Sequence, residues 1–250
     1  VVSNLAVGYN NIDTEVAKKK GIVVTNTPEG LTETTADLTF ALLMATARRI
    51  VEANNYLKDG EWKSWSPMQL TGQDIHGATL GIIGLGRIGA AVARRACGFN
   101  MQVIYHNRSR KQQLEEELGA FYVGLDELLK QSDYVCVMAP YTNETHHLID
   151  ERELNLMKET AILINSARGA IVNEQALYNA IVEKKIWGAG LDVFEKEPVS
   201  SDHPLVSLPN VVALPHIGSA SIPTRLEMTD VAAENLIRVL NKEQPIYRVV

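Results

Sequence analysis

The sequence predicts an α/β fold: a doubly wound parallel sheet of Rossmann type as nucleotide domain, with part of a second, smaller α/β substrate domain. Three observations predict it. Short apolar runs alternate with helical stretches between about residues 80 and 214, the pattern of a parallel sheet covered on both faces. The loop Gly84-Leu85-Gly86-Arg87-Ile88-Gly89 follows one apolar run and opens a helix, the order in which a dinucleotide pyrophosphate is bound. Strand and helix patterns of another kind lie outside this unit, at both chain ends.

In chain order, residues 1–27 read as strand, helix and strand, with the helix from Asp13 to Lys20 and the second strand at Ile22-Val23-Val24. Val1-Val2-Ser3-Asn4-Leu5 reads as the tail of a strand, with the expectation that an N-terminal segment precedes it. Thr32-Glu33-Thr34-Thr35-Ala36-Asp37 opens a helical stretch running to about Tyr56. Residues 58–72 have loop chemistry but carry Trp62 and Trp65, which suits either a subunit contact or a loop folded on its own core. Strands are expected at 80–83, 102–105, 134–138, 161–165, 188–193 and 211–214. Helices are expected near 87–97, 111–118, 125–129 and 174–183. A last helix from Ser221 to Leu240 places Ala232, Ala233, Leu236, Ile237 and Leu240 on one face. The expected division is a dinucleotide-binding domain at 28–219, including an arm at 58–72, and a substrate (catalytic) domain remnant at 1–27 and 220–250.

Composition narrows the function. The 250 residues are 46% hydrophobic and 22% charged, ordinary values for a globular chain. A net charge of −6 argues against nucleic acid or an anionic membrane as partner. The longest apolar run, near residues 40–47, is too short to span a bilayer. Cys97 and Cys136 read as reduced core thiols, and with no secretory signal visible the expected location is the cytoplasm.

The glycines have distinct tasks. Gly84 permits a tight turn, Gly86 lets backbone N–H groups approach the pyrophosphate, and Gly89 lets the helix pack on the strand. An adenine ribose with a free 2′-OH is usually held by a carboxylate about 20 residues further on. Here that region reads Asn107-Arg108-Ser109-Arg110, with no acid and two guanidinium groups suited to a 2′-phosphate. The sequence therefore predicts NADP(H) over NAD(H).

Three expected strand ends deliver titratable or charged groups: Arg168 after one, Asp192 and Glu197 after the next, His216 after the last. Taken singly, Arg168 reads as a surface ion pair, Glu197 as a solvated loop acid and His216 as a core histidine. Together they suit reduction of a 2-keto acid. A guanidinium clamps the carboxylate and polarises the carbonyl, an imidazolium donates the proton, and a carboxylate orients the imidazole. His76, His106 and His203 read as loop or strand-end residues. His146 and His147 lack a third ligand, so no metal is expected.

The motifs around Val7 to Asp13, Asn26-Thr27-Pro28, Leu80 to Gly89, Asn165 to Gly169, Gly190 to Pro198 and Pro215 to Ser219 together resemble the D-isomer-specific 2-hydroxyacid dehydrogenase family. The likeness is to its glyoxylate/hydroxypyruvate and 2-ketogluconate reductase branch, and it covers nearly the whole chain. The resemblance implies Arg168, Glu197 and His216 as the catalytic set, with His216 the proton donor and acceptor. It places substrate-carboxylate amides at Val7 and Gly8 and the nicotinamide-amide acceptor at Asp192. Arg87 and Ile88 fall at the pyrophosphate, Ser166, Ala167 and Gly218 at the nicotinamide end, and Thr35 on an early helix reaching the cofactor. Asn107, Arg108 and Ser109 replace the acidic position of NAD-specific members. A homodimer joined through the nucleotide domains and an arm like residues 58–72 is implied as well. The expected activity is NADPH-preferring reduction of small 2-keto acids to D-2-hydroxy acids. Two alternatives stay open: an NAD-dependent phosphoglycerate- or D-lactate-type dehydrogenase, and a non-catalytic corepressor-like protein that senses dinucleotide.

Overall fold

A computed structural model describes all 250 residues. The chain divides into two units, Val1–Thr35 with Ser219–Val250, and Ala36–Gly218. The first break thus falls after Thr35, later than the sequence division after Thr27.

In the first unit, β1 (Val2–Ser3) lies parallel to β2 (Val24–Thr25), with α1 (Thr14–Lys19) between them in the chain. Asp13 starts α1 because its carboxylate accepts from the Val16 N–H at 2.9 Å, satisfying one orphan donor of the first turn. Helix α2 (Thr32–Ala47) begins in this unit and continues into the second.

The second unit continues through α3 (Ile50–Lys58), β3 (Thr79–Ile83), α4 (Arg87–Cys97), β4 (Gln102–His106), α5 (Gln112–Leu118), β5 (Phe121–Tyr122) and α6 (Leu125–Gln131). It closes with β6 (Tyr134–Val137), α7 (Glu151–Leu154), β7 (Ile162–Asn165), α8 (Glu174–Val182), β8 (Gly188–Leu191) and β9 (Val211–Ala213). The strand order is β5-β4-β3-β6-β7-β8-β9, with every neighbouring pair parallel. Alternate strand residues feed opposite faces. Leu80, Ile82, Val103 and Tyr105 pack with α2 and α4, whereas Ile83, Ile104, Val135 and Leu163 pack with α6, α7 and α8. The chain then returns to the first unit as α9 (Ile222–Leu240).

Several expectations differ from the structure. The helical stretch from Thr32 to Tyr56 is two helices, broken where Arg49 takes a left-handed φ of 53° and closes an ion pair with Glu52 at 2.7 Å. Cys97 is exposed at the end of α4, while Cys136 is buried and its thiol is pushed up to about 12 by burial. The expected apolar stripe of α9 is not its buried stripe. Leu236, Ile237 and Leu240 are exposed, and Thr224, Met228 and Asn235 are buried. Polar satisfaction decides this orientation: Thr224 bonds Thr34 at 2.6 Å, and the Asn235 side-chain oxygen accepts from the Ile246 and Tyr247 N–H groups. The two-residue strand β5 was missed, being too short to carry a period. The arm is not folded on a core of its own, since Trp62, Trp65 and Met68 are all exposed. No helix is long and apolar enough to cross a membrane.

Glycine at position 81 brings α6 down onto the central strand. A Cβ there would stand 2.1 Å from Ser132 Oγ and 2.7 Å from Leu128 Cδ2. Gly81→Ala is expected to cost about 1–3 kcal/mol through overpacking. Denaturant unfolding would show a lower midpoint at unchanged slope.

Candidate functional site

The strand register builds the site. Ile83 pairs with His106 and Val137, Val137 with Asn165, Asn165 with Leu191, and Leu191 with Ala213. Six carboxyl ends therefore stop on one line, and strand order reverses between β3 and β6. Ligands of open α/β sheets bind in the crevice at such a reversal.

After β3 the chain turns at Gly84, where φ is +104° and a Cβ would lie 2.6 Å from the Ala139 nitrogen. At Gly89 a Cβ would meet the Gly84 carbonyl at 2.4 Å, so α4 packs directly on its own entry loop. Gly86 differs: no protein atom lies within 4 Å of its Cβ position. It opens α4 without a side-chain cap, and the first turn carries no acid. Arg87 is exposed and Ile88 half-buried on that turn. Uncapped N–H groups, a helix dipole and open space before them fit a pyrophosphate.

Beyond β4, Asn107 folds back on the loop. Its side-chain oxygen accepts from the Leu85 N–H at 2.7 Å, and its amide nitrogen donates to Leu85 O at 3.4 Å. Arg108 and Ser109 are exposed. Arg110 is engaged elsewhere, held by both oxygens of Glu115 at 2.7–2.9 Å, while Glu115 also accepts from the Tyr105 hydroxyl. The two arginines that the sequence groups together are thus unequal: the structure leaves Arg108 outside any ion pair and ties up Arg110. Glu115 was not anticipated, because nothing in sequence spacing separates it from its acidic neighbours.

Asp192 follows β8 and is 1% exposed. One of its oxygens accepts from the Ile217 N–H at 2.7 Å, and the other is buried without any partner. Burial pushes this carboxyl upward, opposed by the Ile217 and Gly218 amides and by His216. An orphaned buried acceptor costs stability unless a ligand completes it, and it fits the amide N–H group of a nicotinamide. The Asp192 bond also fixes the backbone on which His216 holds a left-handed φ of 53°.

His216 Nδ1 lies 2.7 Å from Glu197 Oε2. A carboxylate only accepts, so Nδ1 carries the hydrogen and Nε2 is left for proton exchange with a ligand. The other Glu197 oxygen accepts from the Phe194 N–H at 3.0 Å, locking the carboxylate to its own loop. Half-buried Arg168 donates to Ala167 O at 2.7 Å. Burial draws the guanidinium pKa down, and the nearby Glu197 charge opposes that. Arg168, Glu197, His216 and Asp192 thus share one electrostatic neighbourhood. Ser166 places its hydroxyl 2.6 Å from that of Thr39 on α2, and Gly218 is buried. Sequence reasoning missed Thr39 and Asn165. The second stands at a strand end, a position that signals function once register is known.

In the other unit, the carbonyls of Val7 and Gly8 accept from the side chains of Asn26 and Asn4 at 2.9 and 2.8 Å, while their N–H groups enter no protein bond. Paired open amides of this kind suit an anion. Thr35 is buried in the first turn of α2. His146 stacks on His147 at 4.0 Å, and His147 and His203 pair with Glu195 and Glu174.

Residues 40–218 match the model of the D-isomer specific 2-hydroxyacid dehydrogenase, NAD binding domain. A glyoxylate reductase of Korarchaeum cryptofilum is 55% identical over 246 residues, covering 98% of this chain and 74% of that protein. The chain belongs to the D-isomer specific 2-hydroxyacid dehydrogenase family. Among solved structures, the TT0316 protein of Thermus thermophilus superimposes with a TM-score of 0.92 at 50% identity, covering 98% of this chain and 77% of that one. The NADPH-dependent glyoxylate/hydroxypyruvate reductase of Sinorhizobium meliloti, solved with NADP and malonate, gives 0.90 at 38% identity, with coverage of 99% and 76%. This D-2-hydroxyacid dehydrogenase is an NAD(P)-dependent oxidoreductase.

Asp192→Asn keeps an acceptor for Ile217 and removes a buried charge with one unpartnered oxygen. In the dehydrogenase without cofactor, Tm is expected to rise, by about 2–4 °C per kcal/mol recovered. Cofactor Kd should weaken about tenfold or more as the charged acceptor is lost. Calorimetry and fluorescence titration check both. A lower Tm with unchanged Kd would contradict this account.

Proposed function

We propose that this dehydrogenase works as a reductase of small 2-keto acids, giving D-2-hydroxy acids with NADPH preferred. One observation carries the reading: the 2.7 Å pair of Glu197 and His216 stands beside a half-buried guanidinium on the neighbouring strand end. The names of its relatives, glyoxylate reductase and glyoxylate/hydroxypyruvate reductase, support glyoxylate and hydroxypyruvate as substrates, with 2-ketogluconate a third candidate of the same chemistry.

When bound, the nicotinamide supplies the hydride that the carbonyl carbon accepts. Arg168 binds the keto-acid carboxylate and draws electron density from the carbonyl oxygen. His216 gives its Nε2 proton to that oxygen, and Glu197 keeps the ring oriented through its bond to Nδ1. The open amides of Val7 and Gly8, considered within their own unit, suit a carboxylate. Asp192 orients the nicotinamide amide, Ser166, Ala167 and Gly218 line that end, and Thr35 reaches the cofactor. Gly84, Gly86, Arg87, Ile88 and Gly89 hold the pyrophosphate.

Arg168→Ala is expected to lower kcat/KM for glyoxylate by about 10²-fold or more while leaving NADPH affinity nearly unchanged. A variant with the parent kcat/KM would remove the proposed role.

Exposed Arg108, the relatives' NADP complex and the lack of an acid after β4 support NADPH. The engagement of Arg110 by Glu115 favours a second reading, in which one arginine gives only a mild preference and NADH is used too. Asn107→Asp keeps the acceptor for Leu85 and adds the negative charge that a 2′-phosphate repels. It should weaken NADPH about tenfold, on the scale of one charged hydrogen bond, and improve NADH. Titration of both cofactors against both proteins distinguishes the readings.

A further inference from the structure

We propose that Asn165 is the positioning residue for Arg168: its buried amide folds the loop from Ser166 to Arg168 into the shape that presents the guanidinium to the substrate. This inference rests on the role of Arg168 proposed above.

The argument begins where β7 stops. Asn165 is the last residue of the strand, and its carbonyl accepts from the Asp192 N–H at 2.9 Å. That bond ends the ladder between β7 and β8, and the chain then turns away with its polar groups needing partners. The Asn165 side chain supplies them. Its oxygen accepts from the Ala167 N–H at 3.1 Å, and its amide nitrogen donates to the Arg168 carbonyl at 2.9 Å. The residue is 1% exposed, so water does not compete for either bond.

The far end of the loop is equally constrained. A Cβ on Gly169 would lie 1.8 Å from the Phe194 carbonyl carbon and 2.3 Å from the Glu195 nitrogen. The backbone beyond Arg168 is therefore pressed against the segment whose Phe194 N–H holds Glu197. Between Asn165 and Gly169 the only freedom is the path of three residues, and the amide fixes that path from inside. Thr39 adds a tether from α2 through Ser166.

Side-chain chemistry explains why asparagine stands here. The position needs one acceptor and one donor on a short stem in a dry site. Aspartate would present an acceptor to the Arg168 carbonyl and bury a charge. Serine reaches only one of the two partners, and alanine neither. A displacement of Arg168 by about 1 Å is enough to cost on the order of 10²-fold in rate.

A double-mutant cycle in the whole chain tests the idea, using Asn165→Ala, Arg168→Ala and both together. The readouts are kcat and KM for glyoxylate, NADPH Kd by fluorescence, and Tm. Asn165→Ala is expected to lower kcat/KM by about ten- to a hundredfold, mostly through KM for the keto acid. In the Arg168→Ala background the same change should lower it no further, because a residue acting through Arg168 has nothing left to position. Equal losses in both backgrounds, or loss that follows Tm alone, would overturn the inference and mark Asn165 as a fold residue. No loss in the single variant would overturn it as well. If Arg168→Ala itself keeps full activity, the proposed function fails and takes this inference with it. Should Asn165→Ala not fold, Asn165→Ser, which keeps a hydroxyl acceptor for Ala167, enters the same cycle under the same criteria.

Discussion

Parallel pairing without register slip is the constraint on which this molecule depends. Ile83, His106, Val137, Asn165, Leu191 and Ala213 close their strands on one line. The next residues in each loop are then close in space although far apart in sequence. Gly84, Asn107, Ser166, Asp192 and, two residues past Leu214, His216 all inherit their places from this alignment. A slip by one residue in any pair would also exchange the residues packing on the two faces. The cores seen on opposite sides of the sheet therefore enforce the alignment that builds the site.

Within that frame, stability is given up locally. Asp192 is buried with an unpartnered oxygen, and burial drives its carboxyl upward. The sign follows from the direction of the shift. A carboxyl with a raised folded-state pKa binds its proton more tightly in the native state, so its contribution to stability is lost as pH rises past the unfolded value. At neutral pH the residue is therefore a cost that the apo protein bears. Its compensation is positional: one oxygen holds the Ile217 amide and with it the left-handed backbone at His216. On the proposed reading, cofactor orientation and imidazole placement would share a single carboxylate.

Much of the architecture was legible in the sequence because strand ends and the glycine loop are written in local chemistry. Apolar runs set the six longer strands, and Arg168, Glu197 and His216 lie within six residues after three of them. What was not legible depends on partners distant in the chain. The stripe that α9 buries is set by Thr34 and by the amides of Ile246 and Tyr247, so apolar periodicity alone chose the wrong face. The break at Arg49 follows from a left-handed backbone that no residue type announced. Cys97 is exposed because it lies on the outer face of α4, whose core face at that level is taken by Ala96. Asn165 went unassigned because its two bonds run to loop atoms whose positions only the folded register creates.

The same distinction between composition and geometry governs the adenine end. Counting charges makes residues 107–110 a doubly basic loop, and the electrostatic preference for a phosphate follows at once. Geometry divides that charge. Glu115 returns a negative charge to Arg110 through paired bonds at 2.7–2.9 Å and is itself held well below the usual carboxylate range by Arg110 and Tyr105. The field beyond β4 is therefore that of Arg108 with a neutralised neighbour, and Asn107 serves the glycine loop through Leu85. Selectivity between two cofactors that differ by one phosphate would then rest on a single exposed guanidinium. Being exposed, its contribution is screened by salt, so discrimination should narrow as ionic strength rises, whereas binding at the buried nicotinamide end should not.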